Sequence, residues 1–417
     1  RETGLGSKCK NGYNDIRFGD KFMITLHKLP YGHDIAFAIR DDDLSFFTDP
    51  AMIETIYSRA WSMGFKVSFA AVPNHKGSNN LNVPPKYRQT GIYYNIGGNH
   101  RLVEFLQKKL NEEKIELMQH GYCHSENENL PELRFDCTTG SLVFNGTAVD
   151  LRLYSEFYGK SDDDVINNIL LGKDILEKTF DARITTFVAP QEYFSTGVWY
   201  GLKKANYDYC GSIGRSSLLI IPVKYLRFSN ILRYVVYKLL NQDVQRIDSL
   251  TKISDIITIP ATFRHYWNRY TESTSAEAAM SEFIRLFELR KQQNSHFILL
   301  THYWEFFYDW KDQITQKCQL EYLNKILFFV QENSDPWKCS IGELIHWQKI
   351  IDKIEITARK DEIEIFSPFE VKGLSLLFED ESTFRKIAQT YDTIQKRGKN
   401  FVVFDINAGE RKIICLS

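Results

Sequence analysis

The chain has no charge bias, no cysteine pattern, no membrane-length apolar run and no internal repeat, and each absence removes a class of protein. Lys and Arg number 52 against 53 Asp and Glu, a formal net charge of -1, whereas nucleic-acid binders carry a basic stripe; no nucleic-acid partner is expected. Seven cysteines are an odd number at irregular spacings. That is not a disulfide framework and reads more simply as reduced thiols inside a cell. No apolar stretch approaches the roughly 20 residues of a membrane-spanning helix. A single glycosylation-type sequon, Asn145-Gly146-Thr147, is weak support for secretion, and a first residue other than Met leaves a removed signal peptide open. What remains is a chain of 417 residues, 43% hydrophobic and 25% charged, enough for one large globular domain and a small one. Aromatic residues reach 14%; they suit stacking on sugars, though packing accounts for most of them.

The organising stretch is Ile35-Ala36-Phe37-Ala38-Ile39-Arg40, followed at once by Asp41, Asp42 and Asp43. A short apolar run of this kind reads as a strand buried on both faces, and the carboxyl end of such a strand is where α/β folds do chemistry. Alternation sends Asp41 and Asp43 to one side and Asp42 to the other, unless the loop beyond rotates them. The plain alternative is that the aspartates cap the next helix, since Ser45, Thr48 and Asp49 precede a periodic segment from Pro50 to Met63. Two further strand ends weigh against it. Ile115 to Met118 runs into Gln119-His120-Gly121-Tyr122-Cys123-His124, and Phe297 to Leu300 runs into Thr301-His302-Tyr303-Trp304.

Between these points strands and helices alternate, which implies parallel strands. Expected strands are 66–72, 115–118, 185–190, one ending at Tyr209, 256–259 and 296–301; expected helices are 50–63, 99–112, 161–179, 276–291 and 315–331. Residues 73–98 read as a long loop, and 126–158 as irregular or hairpin structure. Residues 218–242 mix aromatic and aliphatic side chains with Lys224, Arg227, Arg233 and Lys238. A basic amphipathic helix of this kind lies on an anionic membrane, covers a substrate groove or, most often, packs on its own core; 224–240 is the segment for membrane or lipid-linked contact. From residue 353 the pattern turns to alternation. Ile354 and Ile356 face Ile363 and Ile365 around Lys360-Asp361, and 401–406 and 412–416 flank Asn407-Ala408-Gly409, so hairpins are expected. The organisation that follows is an N-terminal extension over 1–34, an α/β barrel over 35–350 and a small β domain over 351–417.

On a helical turn, His120 and His124 would face the same way. Two His and one carboxylate leave open positions on a metal, the arrangement of a catalytic rather than a structural site. Water there is acidified and a second carboxylate removes its proton; the neighbouring aspartates supply one ligand and one base, and His302 an acid for the leaving group. A two-His, one-carboxylate iron oxygenase shares this ligand set, but normally on an all-β barrel.

Taken together, these motifs resemble the polysaccharide deacetylases, carbohydrate esterases on a distorted (β/α) barrel. Asp42 and Asp43 match a first motif, a strand ending in two aspartates; His120-x-x-x-His124 matches the second, and Leu299-Leu300-Thr301-His302 the late leucine-x-x-histidine. The likeness covers about residues 35 to 335 and is to the divergent branch with an Arg-x-Asp-Asp start and a His-Gly-Tyr second motif. It implies Asp42 as base, Asp43, His120 and His124 as ligands of one divalent metal, zinc above all, and His302 as acid, in the removal of an N-acetyl group from an amino sugar of a glycan or its precursor. The family's third motif places an Arg before a Pro to hold the base, whereas this chain has Phe187-Val188-Ala189-Pro190. Arg40 is the substitute for that Arg, with an ion pair to Asp41 as the ordinary alternative, and Asp208 is a candidate partner for His302.

Tyr193, Tyr303 and Trp304 follow strand ends where their faces suit a sugar ring, and His265 follows the strand at 256–259 and would line the cleft. Cys123 fits no ligand spacing and reads as a buried thiol. The rival of another class is a noncatalytic glycan-binding module on the same fold; a metal-dependent O-acetyl esterase or other amidase shares the chemistry. Family habit places such proteins outside the cytoplasm and the thiols place this one inside, so compartment and oligomeric state stay open.

Overall fold

The protein is described from a computed structural model covering residues 15–18, 22–80, 82–88, 90–125, 134–136, 141–144, 147–148, 151–211, 251–253, 256–265, 276–307, 316–359, 362–396 and 398–416. Eight strands form its centre: β1 (Ile35–Leu44), β2 (Val67–Ala71), β3 (Ile115–His120), β4 (Thr186–Val188), β5 (Tyr209–Cys210), β6 (Ile256–Thr258), β7 (Phe263–Arg264) and β8 (His296–His302). They lie side by side as β6-β5-β4-β3-β2-β1-β8-β7, each parallel to its neighbours in this set, and Thr251–Ile253 pairs antiparallel with the free side of β6. Strand order therefore follows chain order around a ring that, among the described residues, has no pairing between β6 and β7. The fold is α/β with a curled parallel sheet, opened on one side. A short strand β9 (Pro336–Lys338) pairs with Ile35–Phe37 of β1, ahead of Ile39 where β2 takes over.

Helices α1 (Pro50–Ser62), α2 (His100–Asn111), α3 (Asp162–Phe180), α4 (Thr196–Lys204), α5 (Ala276–Gln292) and α6 (Gln316–Asn333) fall between or after these strands. Local chemistry sets their starts. The Asp49 carboxylate accepts from Ala51 N–H at the head of α1, and Ser161 accepts from Asp164 N–H ahead of an acidic first turn in α3; a cap of either kind stabilises a helix by about 1 kcal/mol. The cap of α1 is thus Asp49, and Asp41 to Asp43 belong to β1.

All ten residues of β1 are buried, and their alternation sorts two cores. Phe37, Ile39, Phe69, Leu117, Phe187, Phe297 and Leu299 face the outer helices. Ala36, Ala38, Ala70, Met118, Val188, Ile298 and Leu300 point the other way and meet Ile341, Leu344 and Ile345 of α7 (Ile341–Ile351). Small alanines on that inner side leave room for a long side chain to cross. The opposite stripe of α7, Trp347, Ile350 and Ile351, joins a third core made by the chain's last strands. One helix therefore serves both parts, with a Ser340–Glu343 capping box fixing its start.

The remaining strands depart from the expected hairpins. One sheet orders Asp15–Phe18, Phe22–Leu26, Val371–Phe378, Lys399–Ile406 and Thr393–Lys396, so the stretch read as an N-terminal extension pairs with the C-terminal region. Strand 355–359 does pair with 362–366. Lys399–Ile406 and Arg411–Cys415 do not pair with each other, because the turn between them carries the chain from the first sheet to a second one beside Glu362–Phe366. A helix, α8 (Glu381–Ile387), interrupts the strands, so 351–417 is not all β. Residues 73–98 are also not structureless: Asn74–Lys76 pairs with Tyr93–Asn95. Strands at 134–136, 141–144 and 147–148 form a small antiparallel sheet. The basic segment 224–240 and Asn145 of the sequon lie outside the described residues. Among the described residues no helix is long and apolar enough to cross a membrane, and the five described cysteines are all free, Cys123 buried among them.

Candidate metal centre

The end of β1 sends its three aspartates to three places. Asp41 keeps the outward phase, where its Oδ2 accepts from the Tyr57 hydroxyl and, at 3.0 Å, from Thr301 Oγ1. Burial pushes its carboxyl up to about 7 against the pull of those donors. Arg40 and Asp42 take the inward phase. The buried Arg40 donates Nε–H to Asp42 Oδ1 at 2.7 Å and a second N–H to Asp42 Oδ2, and its Nη1 reaches across to the Gly211 carbonyl at 2.8 Å. Arg40 therefore pairs with Asp42 and not with Asp41. Burial opposes the charge on Asp42, but the adjacent guanidinium outweighs it and holds the carboxyl below its usual range.

Strict alternation would return Asp43 to the outer side. Instead the β1–β2 register slips between Asp41 and Leu44, and Asp43 adopts φ +74, a bulge that re-aims one side chain. Its Oδ1 then lies 3.1 Å from His120 Nε2 and 3.0 Å from His124 Nε2, and Oδ2 accepts from Trp304 Nε1–H at 2.8 Å.

His120 ends β3, but the turn to His124 is not helical. Gly121 and His124 have φ +61 and +69, and the loop folds back on itself around the buried Glu156. That carboxylate accepts three successive backbone N–H groups, from Tyr122 at 2.6 Å, from Cys123 and from His124 at 2.6 Å. A Cβ on Gly121 would stand 2.6 Å from Glu156 Oε1 and from Pro190 Cγ, so only glycine fits there. His120 Nδ1 lies 3.0 Å from the Val188 carbonyl. A carbonyl only accepts, so Nδ1 carries the proton and Nε2 presents a lone pair toward Asp43. The Asn80 amide lies 3.1 Å from His124 Nδ1. One ligand atom from each of Asp43, His120 and His124 falls within 4.8 Å of the others, all three residues buried.

His302 ends β8 in direct register with Asp42. Its Nδ1 lies 3.5 Å from Glu305 Oε1; burial opposes its charge, but Glu305 and then Asp43 and Asp42 outweigh this and raise its pKa to about 10. Asp208 does not reach it. That residue precedes β5, toward the far end of the sheet, and bonds Lys349 Nζ at 3.1 Å. Tyr303 is buried, its hydroxyl raised by burial and bonded to Thr48 and Ser45, so no face is offered to a ligand. Trp304 is half-buried and its indole N–H is engaged by Asp43, and Tyr193 is half-buried against Tyr158, ring centres 5.9 Å apart. His265 is buried with its ring stacked 5.0 Å from Phe306, in the packed wall and not in the cleft.

Four participants have no signal in the sequence reading. Glu156 holds the His120–His124 turn. Glu192 follows β4 on a turn where Gln191 and Glu192 take φ +56 and +51, and it pairs with Arg264 at 2.5 Å. Burial opposes the Glu192 charge, but Arg264 and Arg40 hold its carboxyl low. His75, fully buried, sets its ring 5.4 Å from that of His124 and 5.2 Å from Phe47, and neither of its nitrogens is hydrogen-bonded.

The family model described as glycosyl hydrolase family 57 matches residues 63–391. The chain belongs to glycosyl hydrolase family 57. The matched span of this family 57 chain takes in His120, His124, Glu192 and His302 and begins beyond Asp43. No curated protein matches it. Among solved structures, the family 57 chain is similar to the peptidoglycan deacetylase PdaC of Bacillus subtilis, at 11% identity over 77% of this chain and 94% of that one, TM-score 0.35. It is similar to a family 4 acetyl xylan esterase of Clostridium thermocellum in complex with a cobalt ion, at 11% identity over 74% and 90%, TM-score 0.35. It is also similar to PuuE allantoinase, at 9% identity over 77% and 92%, TM-score 0.43.

Proposed function

We propose that this chain is a metal-dependent hydrolase that removes an N-acetyl group from an amino sugar of a glycan or glycan precursor. The observation that supports it most is the convergence of Asp43, His120 and His124 on one point beside Asp42. The donor set fits a metal: one carboxylate oxygen and two imidazole nitrogens, with His120 Nε2 left bare by the Val188 contact, are the three protein ligands of a catalytic zinc site. Bound there, a divalent cation, Zn²⁺ first among them, would polarise an acyl oxygen and acidify a water. The chain's own residues do the rest. Asp42, kept anionic by Arg40, accepts the proton of the attacking water. His302, kept cationic by Glu305, donates a proton to the departing amine. Trp304 and Glu156 hold Asp43 and the histidine turn in place.

The family's description favours a second reading, hydrolysis of a glycosidic bond. That chemistry sets two carboxyl groups about the scissile bond, one of them protonated at working pH. Asp42 and Glu192 are the inward carboxyls near one another, and an arginine holds each in its charged form. Asp41, raised to about 7, belongs to the outer face with Tyr57. An acid is therefore available from His302 and not from a carboxyl, which suits amide hydrolysis better.

The test is metal content by elemental analysis of wild type, His120→Ala and Asp43→Ala, with acetate and new reducing ends both measured on N-acetylated oligosaccharides. About one equivalent of metal is expected in the wild type and none in the variants, with acetate released by wild type alone. Reducing ends without acetate would establish the glycosidase reading, acetate from O-acetyl esters alone would move the bond, and a protein that takes up no metal would be a binding module.

A further inference from the structure

A second site lies on the sheet built from both chain ends, away from the metal centre. A cavity of about 570 Å³ opens there, with Tyr31, Tyr391, Phe404, Asp392, Asp405 and Lys412 in its lining. Tyr31 is 42% exposed and takes φ +50, a backbone region that a bulky residue rarely occupies and that collects at ligand sites. Its ring lies directly on Gly373, where a Cβ would stand 2.5 Å from it. Gly373 in turn has φ +73 and donates its N–H to Asp405 Oδ1 at 2.7 Å. The same glycine thus makes room for the aromatic face and anchors a carboxylate beside it. Lys412 Nζ sits over the Phe404 ring, 5.1 Å from its centre, and donates to the Asp405 carbonyl at 3.1 Å.

An aromatic face next to carboxylate acceptors is the chemistry that recognises a pyranose: the C–H face of the sugar packs on the ring and its hydroxyls donate to the carboxylates. Two carboxylates against one ammonium disfavour an anionic sugar. We propose that this cavity is a glycan subsite that takes a neutral or cationic pyranose unit. Resting on the reaction read above, its ligand is the same chain from which acetyl groups are removed, so that it retains the protein on polymer while the metal centre works.

The experiment is retention of the full chain on three insoluble polymers, an N-acetylated polysaccharide, its deacetylated form and a polyuronate, alongside acetate release from a short soluble substrate. Wild type should be retained on the first two and not on the third. Tyr31→Gly, which keeps the backbone conformation and removes the ring, should weaken retention about tenfold with turnover of the short substrate unchanged. Tyr31→Phe should bind as wild type, and Asp392→Ala, an exposed change, should weaken it severalfold. Retention of Tyr31→Gly equal to wild type, no retention of wild type, or ring-dependent retention on polyuronate would each overturn the proposal. Ring-dependent retention without any acetate release would leave the subsite standing and refute the reaction at the metal centre.

Discussion

Arg40→Met should be among the most damaging single substitutions in the chain, for reasons that separate stability from chemistry. The guanidinium is fully buried and makes three directed bonds, two to Asp42 and one to the Gly211 carbonyl at 2.8 Å. Removing it strands a buried carboxylate, which costs about 3–5 kcal/mol. The Gly211 carbonyl loses its donor as well, a further 1–3 kcal/mol or so in isolation. Protonation of Asp42 recovers part of this, and Met fills most of the volume, so a net loss of about 4 kcal/mol is expected, a large share of the roughly 5–15 kcal/mol that keeps a domain folded. The assay is the urea midpoint at constant m for Arg40→Met, Asp42→Leu and the pair. The double variant, with both charges gone but the Gly211 carbonyl still without its donor, should recover to within about 1–3 kcal/mol of wild type. In folded Arg40→Ala or Arg40→Met protein, metal content should persist while turnover collapses, since Asp43, His120 and His124 are untouched. A single Arg40→Met costing under about 1 kcal/mol, or one with full turnover, would refute the pairing as the source of the base's charge.

Glu156→Ala removes the acceptor of three backbone N–H groups in the Tyr122–His124 turn and should weaken metal binding about 10–100-fold by chelator competition, with Glu156→Gln between; equal affinities would show that the turn holds itself. Trp304→Phe deletes the Nε1–H donor to Asp43 Oδ2 and should lower metal affinity about tenfold at little cost in Tm, whereas an unchanged affinity would return the indole to packing. The stability that His27 and His265 contribute should fall in mild acid. His27 and His265 are lowered from 6.5 to about 4, by burial above all, so both are neutral when folded. An imidazole whose folded pKa is below its unfolded value contributes fully above pH 6.5 and loses that contribution as pH falls from 6.5 to 4, about 3 kcal/mol each at most. Across pH 7.5 to 4.5 the urea midpoint of His265→Phe should gain on that of wild type as the pH falls; parallel profiles would contradict it.

What was legible in the sequence followed from period and what was not followed from single backbone angles and distant partners. The apolar run into Asp41–Asp43, and the alternation of strands with helices, report burial on both faces of a parallel sheet, so the parallel α/β arrangement could be read. Asp43 could not be placed, because alternation assigns it to the outer side and only a bulge at φ +74 turns it inward. The His120–His124 spacing pointed to two imidazoles that do converge, for a reason the structure does not use: a turn with two residues at positive φ, held by a carboxylate more than thirty residues later, stands in for a helix face. Nothing local in 151–158 announces Glu156. Tyr303, by contrast, could have been read better, since the phase that turns Leu300 and His302 inward turns Thr301 and Tyr303 outward. The C-terminal strands showed their period and the pairing of 355–359 with 362–366 but not their other partners, and the turn at Asn407–Gly409 joins two sheets instead of closing one.

The choice between breaking an amide and breaking a glycosidic bond rests on protonation more than on residue type. Both reactions use a carboxylate beside a proton donor, and both could be written from Asp42, Glu192 and His302. The arginines weigh toward the first, the reading proposed above. Arg40 on Asp42 and Arg264 on Glu192 keep both inward carboxyls charged, and a charged carboxyl cannot protonate a leaving sugar oxygen, whereas an imidazolium beside Glu305 can protonate an amine. Arg40 also fits the proposed role of Asp42 as base rather than ligand. Both of its oxygens accept from Arg40, so in the proposed site a cation would fall to Asp43, whose Oδ1 faces the two histidines and whose Oδ2 is held by an indole N–H. In the proposed site two adjacent aspartates of identical chemistry are thereby given different surroundings by one bulge and one guanidinium, so that losing the guanidinium should cost the base its charge and losing the bulge should cost the metal its carboxylate.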